Sequence, residues 1–130
     1  MEIQKKILIV EDEKTLREVI AATLLRKNFL PLEAKNGLEG VESAFREHPD
    51  LILLDLLMPE MDGMTALKKI REDAWGAKVP IIILTNISAT DEKLVEGMVT
   101  YKPLYYLVKS DWKLHDVADK ITKVLEAPNS

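Results

Sequence analysis

The chain has 130 residues, 47% hydrophobic and 31% charged, a composition that favours one domain with a core of its own. It contains no cysteine, which excludes disulfides and thiolate metal sites, and its net charge of −4 gives nucleic acid no electrostatic reason to bind. No apolar stretch approaches the roughly 20 residues of a membrane span, and residues 1–6 are too short and polar for a signal peptide, so the expected setting is the cytoplasm, away from membranes.

Ile7-Leu8-Ile9-Val10 reads as a buried strand that stops at Glu11-Asp12. A helix is predicted over residues 14–27, with Leu16, Val19, Ile20, Thr23 and Leu24 on one face. Thr15 and Glu18 have capping-box spacing, with a cap one or two residues earlier as the alternative. Residues 30–35 form a weaker strand, and Pro31 suits it to a sheet edge. After Asn36-Gly37, a second helix is marked by Leu38, Val41, Ala44 and Phe45 and ends at His48-Pro49. The run Leu51-Ile52-Leu53-Leu54 is a third strand, stopping at Asp55. A helix follows Asp62-Gly63 with Met64, Leu67 and Ile70 inward, and the charged residues of 68–73 read as its solvated side. Residues 79–85 make a fourth strand ending at Thr85. The fourth helix is expected over residues 90–99, started by Ser88 and carrying Leu94, Val95 and Met98. The fifth strand, Tyr105-Tyr106-Leu107-Val108, stops at Lys109. A last helix is expected from about Trp112 to Leu125, with Leu114, Val117, Ile121 and Val124 inward and Pro128 closing the chain.

Five alternations of strand and helix imply a doubly wound α/β fold, with a five-stranded parallel sheet covered on both faces. Continuous apolar strands agree with that burial. A weak, proline-containing second strand at the edge fits the flavodoxin-like order 2-1-3-4-5, whose switch point lies beside the first strand.

In that order Glu11, Asp12 and Asp55 crowd at one end of adjacent strands. Carboxylates that close repel one another, and a hard divalent cation such as magnesium relieves the repulsion. The cation also favours an ionised Asp55, as a nucleophile requires. Lys109 supplies a compact positive charge, and Thr85 supplies a hydroxyl donor. Each of these residues alone has an ordinary structural reading as a solvated turn, a cap or a strand end. Packing does not account for all of them standing at the same end of their own strands. Together they describe a site that places a phosphoryl group on Asp55 by charge neutralisation and positioning.

The segments that carry these residues also carry a family resemblance. They are residues 7–13, residues 50–63 with Asp55-Leu56-Leu57-Met58-Pro59-Glu60-Met61-Asp62-Gly63, residues 80–85, and Tyr106-Leu107-Val108-Lys109. In order and spacing the chain closely resembles the receiver domain of bacterial two-component response regulators, and residues 1–130 read as a single such domain. The resemblance implies that Asp55 is the phosphoacceptor and that Mg2+ is the cofactor. Asp12 and Asp55 would be metal ligands, with the backbone carbonyl of Leu57, and Glu11 would assist through water. Thr85 and Lys109 would bind phosphoryl oxygens, and Tyr106 would be the aromatic switch residue.

The implied partners are a sensor histidine kinase or histidine phosphotransfer protein and a downstream protein target, with a phosphorylation-dependent homodimer as a further form. Few residues follow the last helix, so output is expected to pass through a protein partner or a domain outside these residues, by way of the face built by the fourth helix, fifth strand and fifth helix, to which Thr85 and Tyr106 connect the site. The chain departs from the usual pattern at Ser110, where receivers carry proline, and at Asn86, where a very small residue is usual. A trans Lys109–Ser110 bond is expected, with an altered loop after it.

Readings from other classes fit less well. A flavin carrier of this fold needs a neutral, glycine-rich phosphate loop where Glu11-Asp12-Glu13 stands. A dehalogenase-type phosphatase needs an acid two residues beyond the nucleophile, where Leu57 stands. No Gly-x-x-x-x-Gly-Lys-Ser/Thr loop for a nucleotide occurs. The alternative that remains is a receiver fold serving as a non-phosphorylated docking module. In either case the chain is a signalling domain rather than a conventional enzyme.

Overall fold

The computed structural model describes residues 4–58, 60–87 and 92–126. Strands β1 (Lys6–Val10), β2 (Leu30–Ala34), β3 (Leu51–Leu54), β4 (Ile81–Thr85) and β5 (Tyr105–Val108) alternate with helices α1 (Lys14–Arg26), α2 (Gly37–Glu47), α3 (Gly63–Glu72), α4 (Glu92–Tyr101) and α5 (Leu114–Glu126). All strand pairings are parallel, and the sheet order is β2-β1-β3-β4-β5, as the alternating pattern predicts.

The period-two geometry of a strand divides its apolar side chains between two layers. Leu8, Val10, Ile52, Leu54, Ile81 and Ile83 pack with Val41, Ala44, Leu67, Ile70 and Leu94 of α2, α3 and α4. Ile7, Ile9, Leu51, Leu53, Ile82 and Leu84 pack on the other face with Ile20, Leu24, Val117 and Ile121 of α1 and α5. The three central strands are therefore buried along their whole lengths apart from Lys6. Pro31 lies on the edge strand β2, where its missing N–H breaks no ladder in the sheet interior.

Several local expectations are corrected. The Thr15–Glu18 capping box does not form. Glu13 is the N-cap of α1 and makes no side-chain cap bond, while Glu18 lies 3.9 Å from Lys14 instead. On α1 the buried face is Ile20, Ala21 and Leu24, and Val19 is 44% exposed. Leu38 and Phe45 of α2 and Val95 of α4 are likewise exposed; Gly40, Ser43 and Ala44 let α2 lie close to the sheet, and Gly97 of α4 faces the Met64 side chain of α3. The expected start of the fourth helix at Ser88 and Thr90 lies outside the described residues, as does Pro128. The helix continues to Tyr101. The last helix starts at Leu114 rather than Trp112, after a 3-10 turn at Lys109–Asp111.

Arg71 is not part of a solvated face. Its guanidinium donates to the carbonyls of Gly76 at 2.8 Å, Val79 at 2.7 Å, Tyr101 at 2.7 Å and Lys102 at 3.2 Å. It thereby ties the end of α3 to the β4 approach and to the end of α4. Burial lowers its pKa.

Candidate phosphoacceptor site

Because every strand is parallel, the residues that follow β1 and β3, the last residue of β4 and the residue that follows β5 all emerge at the carboxyl edge of the sheet. This is where open α/β sheets place their sites. The backbone fixes the loops after β1 and β3 first. Asp55 N–H donates to the Val10 carbonyl at 3.0 Å, and Glu11 N–H donates to the Ala34 carbonyl at 3.0 Å.

Gly63, at the start of α3, then packs directly on this segment. Its N–H donates to the Leu56 carbonyl at 3.0 Å, and a Cβ there would fall on the Asp55 carbonyl oxygen. The glycine is thus required by close approach of two backbones. Asp62 caps α3 by accepting from Thr65 N–H at 2.8 Å.

Glu11, Asp12 and Asp55 converge, each offering a carboxylate oxygen within 4.8 Å of the others. Glu11 and Asp55 are buried, whereas Asp12 is exposed at the mouth. Lys109 Nζ lies 2.6 Å from Glu11 Oε1 and 3.1 Å from Asp55 Oδ2. The second Glu11 oxygen accepts from Glu13 N–H at 3.1 Å, and Asp55 Oδ1 accepts from Leu57 N–H at 3.2 Å. No described residue makes a hydrogen bond or ion pair with the Asp12 carboxylate.

Burial raises the Glu11 pKa, and the bond from Lys109 offsets only part of that rise. Burial alone would lower the Lys109 pKa, but its bonds to Glu11 and Asp55 outweigh burial and hold it above the ordinary value. The Lys109–Glu11 contact, at 2.6 Å, is the shorter of the two that the ammonium makes with the acidic cluster.

The remaining site residues sit beside this core. Thr85 is fully buried, and its hydroxyl oxygen accepts from Ile87 N–H at 3.5 Å. No hydrogen bond links it to Asp55 or Lys109. Leu57 is 58% exposed at the mouth. Tyr106 is partly buried and donates its hydroxyl to the Ile87 carbonyl at 2.5 Å, joining β5 to the segment after Thr85. Burial, and then the charge of Asp55, raise its pKa. The bond after Lys109 is trans, as expected for Ser110, and no cis bond occurs among the described residues.

Sequence reasoning missed Arg17, and it used Gly63 only as part of the segment that carries the resemblance, without reading its packing role. Arg17 reaches back over the acidic turn to the carbonyls of Glu11 and Asp12. The position of Gly63, directly after the Asp62 cap, was the only sequence signal for either.

Residues 7–121 match the family model described as the response regulator receiver domain. The chain belongs to that family. It is a receiver, a module of phosphorylation-dependent signalling, and its three-carboxylate cluster is able to hold a divalent metal.

It is 35% identical over 89 residues to protein PilH of Pseudomonas aeruginosa, covering 68% of this chain and 74% of that one. It is 30% identical over 89 residues to the DNA-binding transcriptional regulator RpaA of Synechocystis sp., covering 68% of this chain. The match spans 37% of the RpaA length, so the activity of that longer regulator is its own. Among solved structures, the receiver domain of the sensor histidine kinase PA1611 of P. aeruginosa superposes with a TM-score of 0.80 at 31% identity. That superposition covers 94% of this chain and 97% of the other, and the structure is described with magnesium coordinated in its active-site cleft. No described helix of the present chain is long and apolar enough to cross a membrane.

Proposed function

We propose that Asp55 is the phosphoacceptor of this receiver, and that residues 1–130 act as a single switch domain. The observation that carries this is the contact of Lys109 Nζ with Asp55 Oδ2 at 3.1 Å, inside a cluster of three carboxylates. An Asp55 carboxylate oxygen forms a bond to phosphorus as the bond from phosphorus to the donor's leaving atom breaks. With a histidine donor the imidazole nitrogen leaves with the electron pair.

The donor set of hard carboxylate oxygens fits Mg2+. Asp12, Asp55 and the Leu57 carbonyl would hold it, with Glu11 assisting through water. When bound, the cation neutralises charge on the acceptor carboxylate and the phosphoryl oxygens. Lys109 holds the ionised acceptor and is placed to follow a phosphoryl oxygen once it is transferred. Thr85, at the end of β4, supplies a hydroxyl donor to a second phosphoryl oxygen.

The donor is a sensor histidine kinase or histidine phosphotransfer protein, and the output is a changed affinity for a protein target or for a second copy of the chain. Tyr106, bonded to the segment after Thr85, connects the site to the face made by α4, β5 and α5. On that face Tyr105 and Lys102 are exposed, while Trp112 is only partly so. Lys120 Nζ lies 4.0 Å from the Tyr105 ring centroid and 5.2 Å from that of Trp112. The paired, buried acidic pocket favours this reading over a docking module that is never phosphorylated.

Incubation with acetyl phosphate and Mg2+ tests the assignment. The intact mass should rise by one phosphoryl group in the wild type and stay unchanged in Asp55→Asn. Equal labelling of both proteins would refute it.

A further inference from the structure

The exposed carboxylate of Asp12 raises a question of support. Both Glu11 carboxylate oxygens are engaged, one by Lys109 and one by Glu13 N–H. Asp12 has no such side-chain partner among the described residues. Its position is therefore set by its backbone, in a turn between the end of β1 and the start of α1.

Arg17 holds that turn. Its Nη1 donates to the Glu11 carbonyl at 2.9 Å and reaches the Asp12 carbonyl at 3.5 Å. Its Nε donates to Glu33 Oε1 on the edge strand at 3.3 Å. The Arg17 side chain is only 15% exposed, so the guanidinium is held rather than free in solvent.

Helix physics does not ask for arginine here. The positive end of the helix dipole favours carboxylates in the first turn, yet α1 has no acidic residue there. Side chains on a helix lean back towards its N-terminus, and that lean carries the guanidinium over the two carbonyls. The planar fork allows one group to bond the turn and Glu33 together, which an ammonium cannot do as well.

We propose that Arg17, braced by Glu33, is a positioning residue for the metal site, holding the Glu11–Asp12 turn so that the Asp12 carboxylate faces Asp55. This rests on the reading of the acidic cluster as a magnesium site. Two effects oppose each other. The positive charge of Arg17 repels a cation, whereas the ordered turn pre-places its ligand. Glu33 offsets much of the charge, so the positioning effect decides the sign.

The test is calorimetric titration of the whole unphosphorylated chain with MgCl2, alongside acetyl phosphate labelling across Mg2+ concentrations. Arg17→Gln should bind Mg2+ about tenfold more weakly, in line with the loss of a supporting group around a metal site. Its labelling rate should return to near the wild-type rate at saturating Mg2+. Arg17→Lys should fall between the two. Glu33→Ala keeps the arginine and removes only its brace, so it decides the matter if Arg17→Gln does not fold, and it should weaken binding by a smaller factor. Unchanged or tighter Mg2+ binding in a folded Arg17→Gln, or in Glu33→Ala, overturns the proposal. So does a labelling rate lowered equally at every Mg2+ concentration, which is the mark of a merely structural role. A wild type that binds no Mg2+ would instead overturn the reading of the cluster as a metal site.

Discussion

Leu57 and Ile87 stand two residues beyond Asp55 and two beyond Thr85. In receivers these positions flank the water path. Leu57 is more than half exposed, and Ile87 is partly buried against the core. Neither can orient or activate water. The phosphorylated chain is therefore expected to lose its phosphoryl group slowly, and Leu57→Asn should shorten its lifetime several-fold. Following the decay of the phosphorylated mass checks this, and a wild-type lifetime of seconds would contradict it. Lys109, Asp55 and the acidic pair were all legible in the sequence, because each ends a continuous apolar run. Arg17 was not. A polar side chain that bonds backbone carbonyls leaves no periodic trace, and its partners are set by tertiary placement. Arg71 was misread for the same reason, since its neighbours Lys68, Lys69 and Glu72 face solvent.

Among the elements, α3 is held at both ends by different means. At its start a Cβ on Gly63 would strike the backbone of Asp55 and Leu56, which cannot yield without moving the acceptor. Gly63→Ala should therefore cost about 1–3 kcal/mol, the usual range for overpacking, and also slow phosphorylation. Gly97, in the interior of α4, makes the contrasting case. A Cβ there would meet the tip of the Met64 side chain, which is flexible. The helix-propensity gain of up to ~1 kcal/mol offsets that displacement, so Gly97→Ala should stay close to wild-type stability. Denaturant unfolding of the two variants checks the contrast, and equal losses would refute the account of Gly63.

At the other end of α3, Arg71→Met removes a cation that serves four carbonyls. Hydrogen bonds to charged groups are worth about 1.5–3 kcal/mol, and the variant should lose at least that much stability. A loss within error of zero would show that water replaces the clamp. Helix existence was readable from the 3.6-residue period, but helix faces were less so. Val19, Leu38 and Phe45 look inward by periodicity and are exposed. The close approach permitted by Ala21 and Gly40 rotates each helix onto its small residues, and hydrophobicity alone does not report that.

Over the whole molecule, the 2-1-3-4-5 order follows from the alternation of strands and helices and the weakness of the proline-bearing second strand. This topology places Glu11, Asp55, Thr85 and Lys109 at one edge although they are far apart in sequence. It also places β5 at the opposite edge from β2, so a change at Thr85 and Tyr106 reaches an exposed border of the sheet. Phosphorylation should alter amide exchange in α4, β5 and α5. Changes confined to α1 and α2 would put the output surface elsewhere.

The central claim is tested most directly by locating the phosphoryl group. Protein labelled with acetyl phosphate and Mg2+ is treated with borohydride, which reduces an aspartyl phosphate to homoserine, and the peptides are then sequenced by mass spectrometry. The account predicts homoserine at position 55, formed only in labelled, Mg2+-treated wild type. Reduction at another carboxylate, or labelled protein with position 55 unmodified, would contradict it.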